Sequence, residues 1–190
     1  MSCRVIFVTG PPGIGKTTLV MRVAEYVKSR GYGVGGIVTE ELREGGVRVG
    51  FRMMDLHTGA TGVLSHINLR EGPRLGRYVV NIKDLESMGV KALMYGLEER
   101  EVRLLVLDEI GPMELHSRRF ISAATQAARC GKPFLGTVQL KLSSRVGEIL
   151  GLDETPEVVG LTRENRVRQT KLISDRILKT IEEESLKPNL

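Results

Sequence analysis

Tryptophan is absent from the 190 residues, and the other aromatics number only eight, four Phe and four Tyr. That removes the row of rings on which single-stranded nucleic acid stacks. Cysteine is almost absent: Cys3 and Cys130 make neither a disulfide framework nor a zinc site. The three histidines, His57, His66 and His116, lack metal-ligand spacing. No apolar run approaches the ~18 residues of a membrane-spanning helix, so no membrane partner is expected. The first apolar run passes straight into a Gly/Pro loop with no small-residue cleavage site, unlike a signal peptide. A cytoplasmic protein is the expectation.

What is present fits one soluble globular domain covering residues 1–190. Hydrophobic residues make up 41% and charged residues 27%, both ordinary values. Two balances are unusual. Glycine reaches 22 residues, and the 28 basic residues divide into 19 Arg and 9 Lys. The net charge of +5 is mild, and without aromatic interleaving it disfavours nucleic acid as the main ligand.

Strand and helix patterns alternate along the chain. Residues 4–9 (RVIFVT) read as a buried strand. From Lys16 the residues Leu19, Val20, Val23, Ala24 and Val27 recur on one helical face, ending near Gly31. Residues 33–39 suggest a second strand. Residues 40–52 suggest a hairpin turning at Gly45-Gly46, with further short strands near 63–64 and 76–82. A helix is predicted over 83–100, a buried strand over 103–107, a helix over 117–130 and a strand over 133–138. A short helix over 142–150, a strand over 158–161 and a helix over 163–184 complete the series. This alternation predicts an α/β fold with a mostly parallel sheet covered on both faces. The stretch from about 40 to 82 reads as an antiparallel insert that extends or caps one side of the sheet.

Gly10-Pro11-Pro12-Gly13-Ile14-Gly15-Lys16-Thr17 fits G-x-x-x-x-G-K-[ST] at every fixed position. A strand before it and an amphipathic helix after it supply the required context. Such a loop curls so that backbone N–H groups face phosphate oxygens, and the helix that opens at Lys16-Thr17-Thr18 adds its own N–H groups and dipole. Lys16 can reach the β- and γ-phosphates, and the Thr17 hydroxyl can ligate Mg²⁺. A Gly/Pro turn that merely caps a helix is the simpler alternative, and the flanking elements argue against it.

A second motif follows some 90 residues later. The apolar run Leu104-Leu105-Val106-Leu107 ends in Asp108-Glu109, and ligands of open α/β sheets bind at strand carboxyl ends. Asp108 is the candidate metal ligand. Glu109 is the candidate catalytic acid that orients or deprotonates a water. Asp108-x-x-Gly111 also fits the D-x-x-G of GTPases. Asn81-Ile82-Lys83-Asp84 does not fit the guanine-reading N-K-x-D, because its Lys is misplaced and it precedes the acid pair.

Six arginines and no lysine lie between Glu40 and Val80, and Arg163, Arg166 and Arg168 form a second group. The guanidinium fork suits phosphate oxygens, so Arg43, Arg48, Arg77 and Arg166 are candidate phosphate contacts. Pairing with Glu40, Glu41, Glu44 and Glu71 on the surface is the competing reading. Asn165 is either part of a helix cap or a ligand contact. Thr137-Val138-Gln139 ends a strand where a polar side chain can sense the γ-phosphate.

Taken together, GPPGIGKTTL, TEELREGGVRVGFRMMDLHTG, GRYVVNI, LLVLDEIGPMEL and TRENR make the chain resemble the thermophile-type nucleoside-triphosphatase family, which includes cancer-related members. The resemblance covers residues 10–166. It implies a RecA-like P-loop fold and a Mg²⁺-dependent hydrolase of nucleoside triphosphates tolerant of the base. Gln139 departs from the His or similar residue expected there.

An NTP phosphohydrolase is therefore the leading expectation, with Glu109 and Lys16 as catalytic residues. A nucleotide or small-molecule kinase is the second, since GPPGxGK also opens such chains; the adjacent acid pair favours water as acceptor. A nucleotide-switched module acting on a protein or nucleic acid is the third, although few residues follow Val138 to build a lid.

Overall fold

A computed structural model describes residues 4–186, so Cys3 lies outside the described residues. Strand β1 (Val5–Thr9) runs into the phosphate loop, and helix α1 (Lys16–Ser29) follows. The stripe Leu19, Val20, Val23, Ala24 and Val27 is buried, as its spacing requires. Strand β2 (Gly33–Glu44) is longer than the pattern suggested, because it serves two partners. Its first half pairs parallel with β7 (Val102–Ile110), and its second half pairs antiparallel with β3 (Val47–Asp55).

β4 (Thr61–His66), β5 (Arg74–Leu75) and β6 (Tyr78–Val80) continue that antiparallel edge. β8 (Phe134–Val138) and β9 (Glu157–Gly160) complete a nine-stranded sheet of order β5-β6-β4-β3-β2-β7-β8-β1-β9. The insert thus extends one side of the parallel sheet.

Helix α1 and the C-terminal helix α6 (Arg166–Ser185) cover one face through Val23, Val27, Ile173 and Ile177. On the other face Phe7, Leu105 and Phe134 meet α3 (Val90–Glu98) and α4 (Arg118–Arg129). Alternate residues of β7 serve the two layers: Leu104 and Val106 pack with the first, Leu105 and Leu107 with the second. No helix among the described residues is long and apolar enough to cross a membrane.

The helix predicted over 83–100 is divided. Asn81 caps a short α2 (Ile82–Asp84) by accepting the Asp84 N–H, a π-helical turn spans Leu85–Gly89, and α3 follows. A Cβ at Gly89 would lie 3.0 Å from the Phe120 ring, so α4 packs close to this point. The helix predicted over 142–150 is a 3₁₀ segment, Leu140–Arg145, leading into a short α5 (Val146–Ile149).

Candidate functional site

The loop Gly10-Pro11-Pro12-Gly13-Ile14-Gly15 leaves β1 at the carboxyl edge of the sheet and enters α1 at Lys16. Gly15 precedes the helix with φ +107, a left-handed conformation that glycine adopts without a Cβ penalty. No side chain caps this helix start, and its first turn carries no acid. The N–H groups of Lys16, Thr17 and Thr18 therefore keep the positive end of the helix for an anion. At the base of the loop, Gly10 packs against Leu161: a Cβ there would stand 2.9 Å from the Leu161 carbonyl oxygen.

The acid pair sits inside β7 rather than beyond its end. Leu107 faces Gly136 and Ile110 faces Val138, so Asp108 and Glu109 together oppose the single residue Thr137. This irregularity, one extra residue in one strand, re-aims side chains as bulges beside active sites do. Asp108 is 1% exposed. The Thr137 hydroxyl donates to Asp108 Oδ1 at 2.5 Å. The other carboxylate oxygen, Oδ2, is buried without a hydrogen-bond partner. Burial raises the Asp108 pKa, while the Thr137 and Thr17 hydroxyls, the Thr39 N–H and the Lys16 charge oppose that rise.

Lys16 links the two halves of the site. Its Nζ donates to the Gly10 carbonyl at 3.2 Å and lies 3.9 Å from Glu109 Oε2. Burial pushes the Glu109 carboxyl up; Lys16 pulls it down and Asp108 pushes it up further. A third acid, Glu114, was not singled out from sequence. It is 5% exposed and accepts the Gly111 N–H through Oε2 at 2.9 Å. Gly111-Pro112-Met113-Glu114 reads as a tight turn from its residues, but the burial of the acid that closes it does not.

The buried Oδ2 of Asp108 and the nearby Thr17 hydroxyl are hard oxygen donors suited to Mg²⁺. Among the described residues no cluster of three or more His, Cys, Asp or Glu side chains forms a metal cage.

Three of the arginine candidates are engaged with partners of their own. Arg43 and Arg48 both pair with Glu41, and Arg48 Nε donates to the Tyr78 hydroxyl at 3.0 Å. Arg77 donates to the Arg48 carbonyl and to the same hydroxyl. The structure thus joins these three around Glu41 of the β2–β3 hairpin and Tyr78 of β6. Asn165 is committed to its own loop: Oδ1 accepts from Thr162 N–H at 2.8 Å, and Nδ2 donates to the Gly160 carbonyl at 2.9 Å. Arg166 opens α6 just beyond, with no ion pair among the described residues.

A glycine loop that feeds a helix N-terminus, beside a strand carrying a buried acid, marks the P-loop nucleotide-binding class. A family model described as NTPase matches residues 5–174. The chain belongs to that family. It is 46% identical over 158 residues to the nucleoside-triphosphatase THEP1 of Thermofilum pendens, covering 83% of this chain and 85% of that protein. The protein of the same name from Thermococcus kodakarensis is 41% identical over 179 residues, covering 93% and 95%. The solution structure of a human cancer-related nucleoside triphosphatase superposes with a TM-score of 0.75 at 36% identity, covering 97% of this chain and all of that one. The crystal structure of THEP1 from Aquifex aeolicus gives 0.74 at 28% identity, covering 94% and 98%.

Proposed function

We propose that this chain hydrolyses nucleoside triphosphates to diphosphates and phosphate, with Mg²⁺ and with broad tolerance of the base. The observation that carries the reading is the meeting of three groups at one sheet edge. Lys16 lies 3.9 Å from Glu109, and the adjacent Asp108 is buried with Oδ2 unpartnered. The names of the related proteins, all nucleoside-triphosphatases, support it.

The loop amides from Gly10 to Gly15, with those of Lys16, Thr17 and Thr18, hold the β-phosphate region. Lys16 moves its charge onto the β- and γ-oxygens. Thr17 and Asp108 would hold the ion, which when bound would supply positive charge against that developing on the phosphates. Glu109 orients a water in line with the γ-phosphorus and takes its proton.

The sheet order supports one orientation of the substrate. β7 lies on one side of β1, with β8 between them, and β9 lies on the other side. The γ-phosphate therefore points toward the acids, and the base projects toward the loop after β9. There Arg163 and Arg166 have no ion pair among the described residues and can approach the nucleotide. The scarcity of cysteine fits a reducing compartment, so the cytoplasm is the proposed location.

The test is phosphate release from ATP, GTP, CTP and UTP with and without Mg²⁺, for the native chain and Glu109→Gln. Glu109→Gln is expected to bind nucleotide and to lose about 10²–10⁴-fold in turnover. Full activity of that variant would remove Glu109 from its role. Turnover that requires an added phosphoryl acceptor would make the protein a kinase. Binding without any turnover would leave a nucleotide-switched module.

A further inference from the structure

We propose that Glu114 is a positioning residue for Glu109: its buried carboxyl group clamps the Gly111 turn and so fixes where the Glu109 side chain faces the triphosphate. The inference rests on Glu109 being the residue that orients water, as argued above.

Three observations carry it. First, the two carboxyl groups flank a single glycine. A methyl group at Gly111 would lie 3.2 Å from Glu114 Oε2 and 3.4 Å from Glu109 Oε1. A side chain at this position would press on Glu114 Oε2 and touch Glu109 Oε1, so both acids close on the same small space. Second, the clamp is a direct bond. Glu114 Oε2 accepts the Gly111 N–H at 2.9 Å, across the turn that follows the bulged acid pair. Third, the clamp is anchored from behind. Ser117 N–H donates to the Glu114 carbonyl at 3.1 Å. The Ser117 hydroxyl accepts the Phe120 N–H and thereby caps α4, and it donates to Glu86 at 2.7 Å. The turn is thus bolted to α4 and to the π-helical turn that precedes α3.

Burying a carboxyl beside two other acids has a cost, which the protein meets by keeping Glu114 neutral. Burial pushes it up to about 8, and Glu109 and Asp108 push the same way, against the Gly111 N–H that favours the charged form. A neutral group at this point accepts the amide bond without repelling the Glu109 carboxylate. An amide side chain can do the same, and an alkyl side chain cannot.

That difference supplies the test. Steady-state kinetics with ATP and Mg²⁺, and binding of a fluorescent nucleotide, are measured for the native chain, Glu114→Ala, Glu114→Gln and Gly111→Ala. Glu114→Ala is expected to lose about 10²-fold in kcat, the loss that a misplacement near 1 Å produces. Its KM and nucleotide affinity should stay within a few-fold of native. Glu114→Gln should recover most of the lost kcat. Gly111→Ala, which wedges the acids apart and keeps the Glu114 side chain, should lower kcat in the same way and reads the role even if Glu114→Ala does not fold. Native kcat in Glu114→Ala or in Gly111→Ala would overturn the proposal. So would a Glu114→Gln variant as slow as Glu109→Gln, which would make Glu114 a charged participant. So would a loss of nucleotide binding equal to the loss of rate. A native chain with no turnover would fail the hydrolase reading itself, and is seen before any variant is compared.

Discussion

Thr137 and Asp108 are 29 positions apart, yet the Thr137 hydroxyl holds Asp108 Oδ1 at 2.5 Å inside the sheet. The bond exists because β7 places two residues opposite one of β8 at this level. With Oδ1 so engaged, Oδ2 is the oxygen left without a partner and is the one offered to the metal we propose. Groups that orient a ligand in this way typically govern about 10–100-fold in metal affinity. Thr137→Val keeps the shape and removes the donor. We expect its activity to require about 10-fold or more Mg²⁺ for half-saturation, with nucleotide still bound at high Mg²⁺. A titration of phosphate release against Mg²⁺ checks this; an unchanged midpoint would reduce Thr137 to a packing residue.

Gly36 is where the two halves of the sheet depend on one backbone geometry. It has φ +104, and a Cβ there would stand 1.9 Å from the Val106 carbonyl oxygen. Its own carbonyl accepts the Leu56 N–H at 2.9 Å, tying the parallel part to the insert. Neither β2 nor β7 can retreat, since both are paired on each side. Gly36→Ala is therefore expected to destabilise the fold by roughly 3 kcal/mol or more. In a chain of this length that lowers Tm by about 6–12 °C, measurable by circular dichroism.

The phosphate loop was legible because its constraint is local: eight consecutive residues, a strand before and a helix after. The acid pair was legible for the same reason, although its place inside a bulge was not. Position in a ladder depends on a partner strand, and no periodicity in 103–110 announces that Thr137 will stand opposite two residues. The division of the helix at 85–89 was hidden likewise, since it reflects close packing of Gly89 on Phe120 from α4. Glu114 was missed because an acid in a turn reads as solvated until the tertiary fold buries it. The partners of the arginines were not legible either. Composition revealed the charge, but only the hairpin register brings Arg43 and Arg48 to Glu41, and β6 brings Tyr78 beneath Arg48.

Arg43 separates a surface role for these arginines from a phosphate contact. Its guanidinium donates to Glu41 and to the Gly46 carbonyl at the tip of the hairpin, and the side chain is 56% exposed. Exposed ion pairs of this kind contribute about 0–1 kcal/mol. Arg43→Ala should leave turnover within two-fold of native and shift Tm by no more than roughly 4 °C. A large fall in kcat would return the hairpin arginines to the catalytic site.

The neutral state of Glu114 also predicts how stability responds to pH. In the unfolded chain this acid ionises near its ordinary value of 4.5; in the folded chain it holds its proton up to about 8. Between these values the native state binds one proton more than the unfolded state at this position. Its contribution is therefore complete below the unfolded value and is lost as pH rises toward 8. Replacing the acid by an amide removes the titration from both states. The Tm of Glu114→Gln minus that of the native chain should thus grow steadily from pH 5 to pH 8 and level off above it. Each kcal/mol of that difference appears as about 2–4 °C. Melting curves at fixed ionic strength check the slope. A difference that stays flat across this range would mean that Glu114 is already ionised when folded, and would remove the physical reason for its amide to serve in its place.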